Sequence, residues 1–445
     1  MSILTVGLID LSDIFITPVI ILGLFLLFSI INKNETSVNK KIFKLALLYR
    51  IVLGIIHALL ANTIIPLDPY YDVGGKIRKA FYTNPFDFWN ILWTNAGQIN
   101  PTILKYNIQK GDTFFQPNNF LTSKFGGVFE VLTMGSYVSA VILFGVFSLL
   151  GMWALYKTFI KMYPDLYKPL AVACLFLPSV SFFGSCYLKD PITLGATGFL
   201  TFCMYQIFIE RKNKIRNLIF LVVLSYLLFT IKPYILVSIF PAYFFWISYH
   251  YKNKIQNTLL RILFTPILVI LLLSLFYFSY SYLGKESQRF TTEKLLIEAV
   301  TTQDYLKRGS EGKASGYDIG TIEPNINSFL GKIPKSIQFS LFRPFLWEAE
   351  KIIQLIASLD SLAIFIFTLY VILKKRLLIF KAILKSPTIQ FCLFFSLIFA
   401  SIMGFVSANY GTLIRYKIPC IPFYIIALIL ILDYSSDRKK QVFNN

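Results

Sequence analysis

Two acidic residues and five cations have the types and settings for chemistry on a phosphorylated substrate. Asp68 and Asp72 stand in "IIPLDPYYDVGGKIRKAF", beside Tyr70, Tyr71 and a Gly74–Gly75 pair expected to be flexible. A carboxylate there could act as a general base, taking a proton from an acceptor hydroxyl. Arg415 and Lys417 stand in "NYGTLIRYKIP" between two long apolar runs, and Lys189 ("SCYLKDPITLG"), Lys232 ("FTIKPYI") and Arg343 ("LFRPFLW") also lie at the ends of apolar runs. Arginine presents a planar fork to phosphate oxygens and lysine a point charge, so together they suggest a cationic pocket for a phosphate or diphosphate, such as an anionic lipid headgroup. Each residue also has a plain alternative. "LDPYYD" is good turn chemistry, Lys189 and Asp190 could be a simple interfacial ion pair, and Lys232 before Pro233 could anchor a helix end by snorkelling.

What must position these groups is a membrane-spanning scaffold. The chain has 445 residues, 56% of them hydrophobic, and its mean hydropathy is +0.63. The apolar residues come in blocks of about 20, the length that crosses a bilayer. The fold class expected is all-α and polytopic, with about 11 transmembrane helices. These fall near 12–32, 45–65, 137–156, 169–188, 191–209, 218–232, 234–249, 262–283, 353–373, 388–408 and 418–433. Alternate loops carry the basic clusters: Lys33, Lys40, Lys41 and Lys44; Lys157, Lys161 and Lys168; Arg211, Lys212, Lys214 and Arg216; Lys252, Lys254 and Arg261; Lys374, Lys375, Arg376, Lys381 and Lys385; and Arg438, Lys439 and Lys440. Positive-inside bias makes that face cytoplasmic, so the N-terminus is expected outside and the C-terminus inside. It also accounts for the net charge of +20. No basic stripe is interleaved with an aromatic platform, which argues against nucleic acid as a partner.

The acidic residues and the five cations then all belong to the outer face, where the charge bias predicts few Lys or Arg. Two long loops share that face, at about 66–136 and 284–350. The first is rich in Phe, Tyr, Trp and Asn, as in "FYTNPFDFWNILW" and "GDTFFQPNNFLTSKFGG", and reads as short amphipathic helices at the membrane surface. It is expected to pack on the second loop as a lid. Within the second span, Arg50 and His57 lie on one helix face, His57 near mid-membrane, where polar residues face the bundle interior. The five cysteines show no CxxC pattern and the two histidines are too few for a histidine-rich metal centre. No acidic doublet or DxD is present. No cofactor is predicted, with a divalent metal left open.

The stretches "LPSVSFFGSCYLKDPITLGATGFL", "FSLFRPFLWEAE" and "NYGTLIRYKIPCIPFYIIALILIL" resemble a family of polytopic bacterial proteins similar to the GT-C superfamily of membrane glycosyltransferases. The resemblance implies transfer of a sugar from a polyprenyl-phosphate donor to an envelope acceptor, at the outer face of the bacterial inner membrane. It implies that Asp68 or Asp72 is the base and that Arg415 and Lys417 hold the donor. Lys189, Lys232 and Arg343 would add to the charge that stabilises the departing phosphate. Two other functions fit a chain of this kind. A polysaccharide polymerase or ligase acting on a lipid-diphosphate-linked glycan would need an activating His or second Arg in an outer loop. A lipid flippase would need charges along a path through mid-membrane, where only Arg50 and His57 stand; a structural subunit would need neither.

Overall fold

The computed structural model describes residues 11–61, 69–110, 112–252, 326–407 and 409–435, which form helices joined by turns, with no β-strand among them. Asp68, the expected span 262–283 and residues 284–325 of the second long loop lie outside the described residues. The chain divides into two compact units, residues 1–207 with 212–236, and residues 208–211 with 237–445.

The first unit opens with α1 (Leu11–Ile31) and α2 (Ser37–Leu60). The first long loop follows as α3 (Pro69–Thr83), α4 (Pro85–Trp93), α5 (Pro101–Lys105), α6 (Asp112–Phe115) and α7 (Pro117–Leu132). Then come α8 (Tyr137–Met162), α9 (Tyr167–Ala171), α10 (Pro178–Phe183), α11 (Lys189–Met204) and α12 (Lys214–Ile231). Helix α8 is the hub, buried along most of its length and packed against α2 and α11. In a bilayer, close packing rather than transfer from water holds helices together, and small residues permit it. A Cβ built on Gly151 of α8 would stand 2.0 Å from the carbonyl oxygen of Gly195 in α11, so the two backbones touch where neither residue has a side chain. Asp13, at the start of α1, accepts the Val138 backbone N–H at 3.1 Å and the Ser136 hydroxyl. It thereby satisfies a donor at the N-terminus of α8, where a negative charge is favoured.

Arg50 is fully buried in α2, and its Nη1 donates to the Ser181 carbonyl at 2.8 Å. That carbonyl lies in the last turn of α10, the negative end of a helix. His57 sets its ring edge-on to Phe182, 6.0 Å between centroids. The expected span 169–188 is not one helix but α9, a π-helical turn over Val172–Phe176, and α10. Leu177 is extended because Pro178 follows it, and Pro178 then opens α10.

Helices α3 to α7 form a module with its own core of Val73, Ile77, Phe88, Ile91, Phe114 and Phe120 among others. Asn-Pro pairs start two of them: the Asn84 side chain caps α4 before Pro85, and Asn100 caps α5 before Pro101. On α4, Phe86 and Trp93 are more than 80% exposed and Trp89 lies between them at helical spacing, an aromatic stripe suited to the lipid–water interface.

The second unit takes most of α13 (Pro233–Lys252), then α14 (Ile326–Phe342), α15 (Ile352–Lys375), α16 (Leu378–Lys385), α17 (Pro387–Val406), α18 (Tyr410–Tyr416) and α19 (Ile421–Asp433). Phe391, Phe395 and Phe399 of α17 fill its centre; Trp246 of α13 stacks on Phe391 with centroids 4.6 Å apart and donates to the Thr388 hydroxyl. Helices α18 and α19 meet at a bend of 62°.

Among the described residues, seven helices are long and apolar enough to cross a membrane, and the bent pair makes an eighth if it is one span. On α1, α12 and α15, large side chains such as Phe15, Ile30, Phe229 and Leu373 are exposed. Apolar faces of this extent need lipid rather than water beside them. The chain is a multi-pass membrane protein.

Candidate functional site

In the first unit, the N-terminal turn of α3 lies against the start of α11. Lys189, first residue of α11, places its ammonium 5.6 Å from the centre of the Tyr70 ring. Tyr71 packs edge-on against both Tyr137 and Tyr187. Asp72 is in the first turn of α3, its side chain 68% exposed and 2.6 Å from Lys76. The aromatic pair beside Asp72 thus anchors α3 and forms a surface with Lys189 close by. Tyr70 and Asp72 are two residues apart on α3 and so point to different sides of it: the first turn carries a cation–aromatic pair on one side and an exposed carboxylate on another.

Lys232 does not share that setting. It is buried, and its Nζ meets Asp190 Oδ1 at 2.6 Å. The adjacent Lys189 and Asp190 were the simple ion pair expected from sequence. Neighbouring positions on a helix do not face each other, so Asp190 turns into the bundle to meet the C-terminal end of α12. A phosphate at Lys232 would have to displace a buried carboxylate. Lys232 therefore acts in α11–α12 packing rather than as a snorkelling anchor.

In the second unit, Arg343 directly follows α14, with its guanidinium 3.9 Å from the Phe339 ring centre, 3.3 Å from Glu348 and 3.2 Å from the Tyr410 hydroxyl oxygen. Lys417 is 2% exposed and donates to the Arg343 carbonyl at 2.7 Å and the Ser361 hydroxyl at 2.8 Å. Lys417 thus ties the α18–α19 bend to the end of α14. Arg415, in the last turn of α18, is half-buried and keeps some of its surface. The Asn409 side chain caps α18 by accepting the Thr412 N–H at 2.8 Å, which sets the direction of the short helix that carries Arg415.

A further buried group escaped the sequence reading. Glu130 of α7 has no exposure; Oε1 accepts the Tyr187 hydroxyl at 2.8 Å, and Oε2 lies 3.8 Å from Arg78 Nε of α3. Burial pushes its carboxyl up to about 7, against the smaller opposing pull of Tyr187 and Arg78. The helices approach this closely because Gly126 leaves room: a Cβ there would fall 1.8 Å from the Tyr187 hydroxyl oxygen. Gly74 and Gly75, expected as a flexible element, lie inside α3 and contribute to the same contact. A signal was present in the sequence. "GGKIR" (74–78) and "GGVFE" (126–130) each place a charge of opposite sign a helical turn beyond a glycine pair. Nearby, Lys124 donates to the Thr94 carbonyl at 2.7 Å, and partial burial lowers its ammonium to about 8.

Among the described residues, no group of three or more His, Cys, Asp or Glu side chains could hold a metal ion. Comparison of the chain with protein families, with curated proteins and with solved structures finds no match.

Proposed function

We propose that this chain is a membrane glycosyltransferase of the GT-C type, moving a sugar from a polyprenyl-phosphate donor to an envelope acceptor at the outer face of the bacterial inner membrane. The proposal includes about 11 spans, with the N-terminus outside and the C-terminus in the cytoplasm. The observation that carries it is the first turn of α3, which exposes the Asp72 carboxylate and sets the Tyr70 ring against Lys189 of α11. Asp72, or Asp68 just before α3, takes the proton of the acceptor hydroxyl. The hydroxyl oxygen bonds to the anomeric carbon as the bond from that carbon to the phosphate oxygen breaks, and polyprenyl phosphate departs with the electron pair. Lys189 offsets the charge on that phosphate, and Arg415 is assigned to capture of a donor lipid. Arg343, Lys417 and Lys232 support these positions through the contacts described above.

The test is transfer from a radiolabelled polyprenyl-phosphate sugar to envelope glycan in proteoliposomes holding the purified chain. Asp68→Asn and Asp72→Asn are made separately. The base should lose about 10²- to 10⁴-fold in rate on substitution. Full activity in both variants would refute the assignment, and absence of transfer by the wild type would refute the reading.

A further inference from the structure

Away from the outer face, a cavity of about 160 Å³ opens between α1 and α2 near the turn that joins them. That is room for roughly five waters at 30 Å³ each. Its walls divide by chemistry. Phe25, Phe28, Phe43 and Leu47 form an apolar floor, while Lys33, Lys40 and Lys44 supply three ammonium groups, with Ser29 and Asn32 between. Lys40 is oriented by a 2.7 Å hydrogen bond to the Lys33 carbonyl, which leaves two of its three N–H donors for other partners. The carboxylate nearest in sequence, Glu35, is engaged by Lys157 and by the Asn39 amide. No carboxylate lines the cavity. The floor continues onto the face of α1 that carries exposed Leu22, Leu26 and Ile30.

We infer that this cavity is a binding site for an anionic phospholipid, with the headgroup phosphate on Lys33, Lys40 and Lys44 and an acyl chain laid along Phe25 and Phe28. Positive-inside bias alone would account for three lysines at this end. It does not account for a walled cavity with an aromatic floor that runs onto the lipid-facing side of α1. A free phosphate would use the lysines and leave that floor unsatisfied, so the observations favour a lipid. The site is independent of the donor site proposed at the outer face and belongs to the opposite end of α1 and α2.

Native mass spectrometry of the detergent-purified full chain tests this, with dioleoyl phosphatidylglycerol, dioleoyl phosphatidylcholine and inorganic phosphate as separate probes. One phosphatidylglycerol should be retained per chain, with phosphatidylcholine bound at least tenfold more weakly. The triple variant Lys33→Gln, Lys40→Gln, Lys44→Gln should lose that preference. So should Ser29→Trp, which fills the cavity and keeps every charge. Removing the same charge elsewhere, with Lys41→Gln, Lys374→Gln and Lys381→Gln, should leave it intact. Three results would overturn the site: phosphatidylcholine bound as well as phosphatidylglycerol, retention of the preference by either cavity variant, or inorganic phosphate displacing the lipid at equal concentration.

Discussion

Replacing Glu130 by Gln should abolish a pH dependence of stability that the wild-type chain shows between pH 5 and 7. In the folded state burial holds the Glu130 carboxyl at about 7, against an ordinary value of 4.5. Between those values the native protein keeps a proton that the unfolded chain has released. Stability therefore falls as pH rises through the window and levels off above it. A displacement from 4.5 to about 7, at 1.36 kcal/mol per pH unit, sets an upper size of about 3 kcal/mol. The amide oxygen of the Glu130→Gln variant would still accept the Tyr187 hydroxyl, and the side chain could not ionise. The variant should therefore be flat from pH 5 to 8 and, at pH 8, more stable than the wild type by up to that amount. The other displaced groups lie outside the window. Lys124 is lowered to about 8, so the folded state binds fewer protons than the unfolded chain above that pH, and stability there rises toward the ordinary lysine value. Glu35, lowered by Lys157 and Asn39 despite burial, matters only as pH falls below 4.5. The assay is denaturant or thermal unfolding of the detergent-purified chain at pH 5, 6, 7 and 8. An equal slope in wild type and Glu130→Gln, or wild-type stability rising from pH 5 to 7, would refute the buried-carboxyl account.

Breaking the buried Asp190–Lys232 pair with Lys232→Met should cost about 3–5 kcal/mol because it leaves a buried carboxylate alone, and adding Asp190→Leu should recover most of it; melting temperatures of the two variants decide. Arg415→Ala should lower turnover or donor binding by about one to two orders of magnitude, from loss of charge-assisted hydrogen bonds of about 1.5–3 kcal/mol each, while abundance stays normal. Arg415→Lys should restore only part of that, keeping charge and losing the fork. Under the proposed topology, a cysteine introduced at Asn118 of α7 should react with an impermeant thiol reagent in intact cells, and labelling only after permeabilisation would reverse that topology.

The parts of this fold that were legible in the sequence are those set by local chemistry. Asn84-Pro85 and Asn100-Pro101 start helices with a capping side chain and a proline in the first turn, and the aromatic loop forms the expected short helices with Phe86, Trp89 and Trp93 on one side of α4. The interruption of 169–188 was harder to see. Its hydropathy matches that of a span, and only Pro178 marks the break. Partners distant in sequence were the least legible. Lys232 and Asp190 are 42 residues apart, and Glu130 and Tyr187 are 57 apart; composition alone favours pairing Asp190 with its neighbour Lys189. Of the five expected phosphate-binding cations, Lys232 and Lys417 are buried structural donors, and Arg343 is held by Glu348 and Tyr410. Lys189 and Arg415 keep surface for a ligand. Side-chain direction separates these groups, and a span-end position does not encode it.

The most direct test of the glycosyltransferase reading is the pool of lipid-linked sugar in cells with and without this chain, measured by mass spectrometry of extracted lipids beside the composition of the envelope glycan. The account predicts accumulation of one polyprenyl-phosphate monosaccharide in cells lacking the chain, with loss of that sugar from the envelope, and the same phenotype in cells carrying Arg415→Ala. An unchanged monosaccharide pool with intact envelope glycan, or accumulation of lipid-diphosphate-linked oligosaccharide instead, would contradict it.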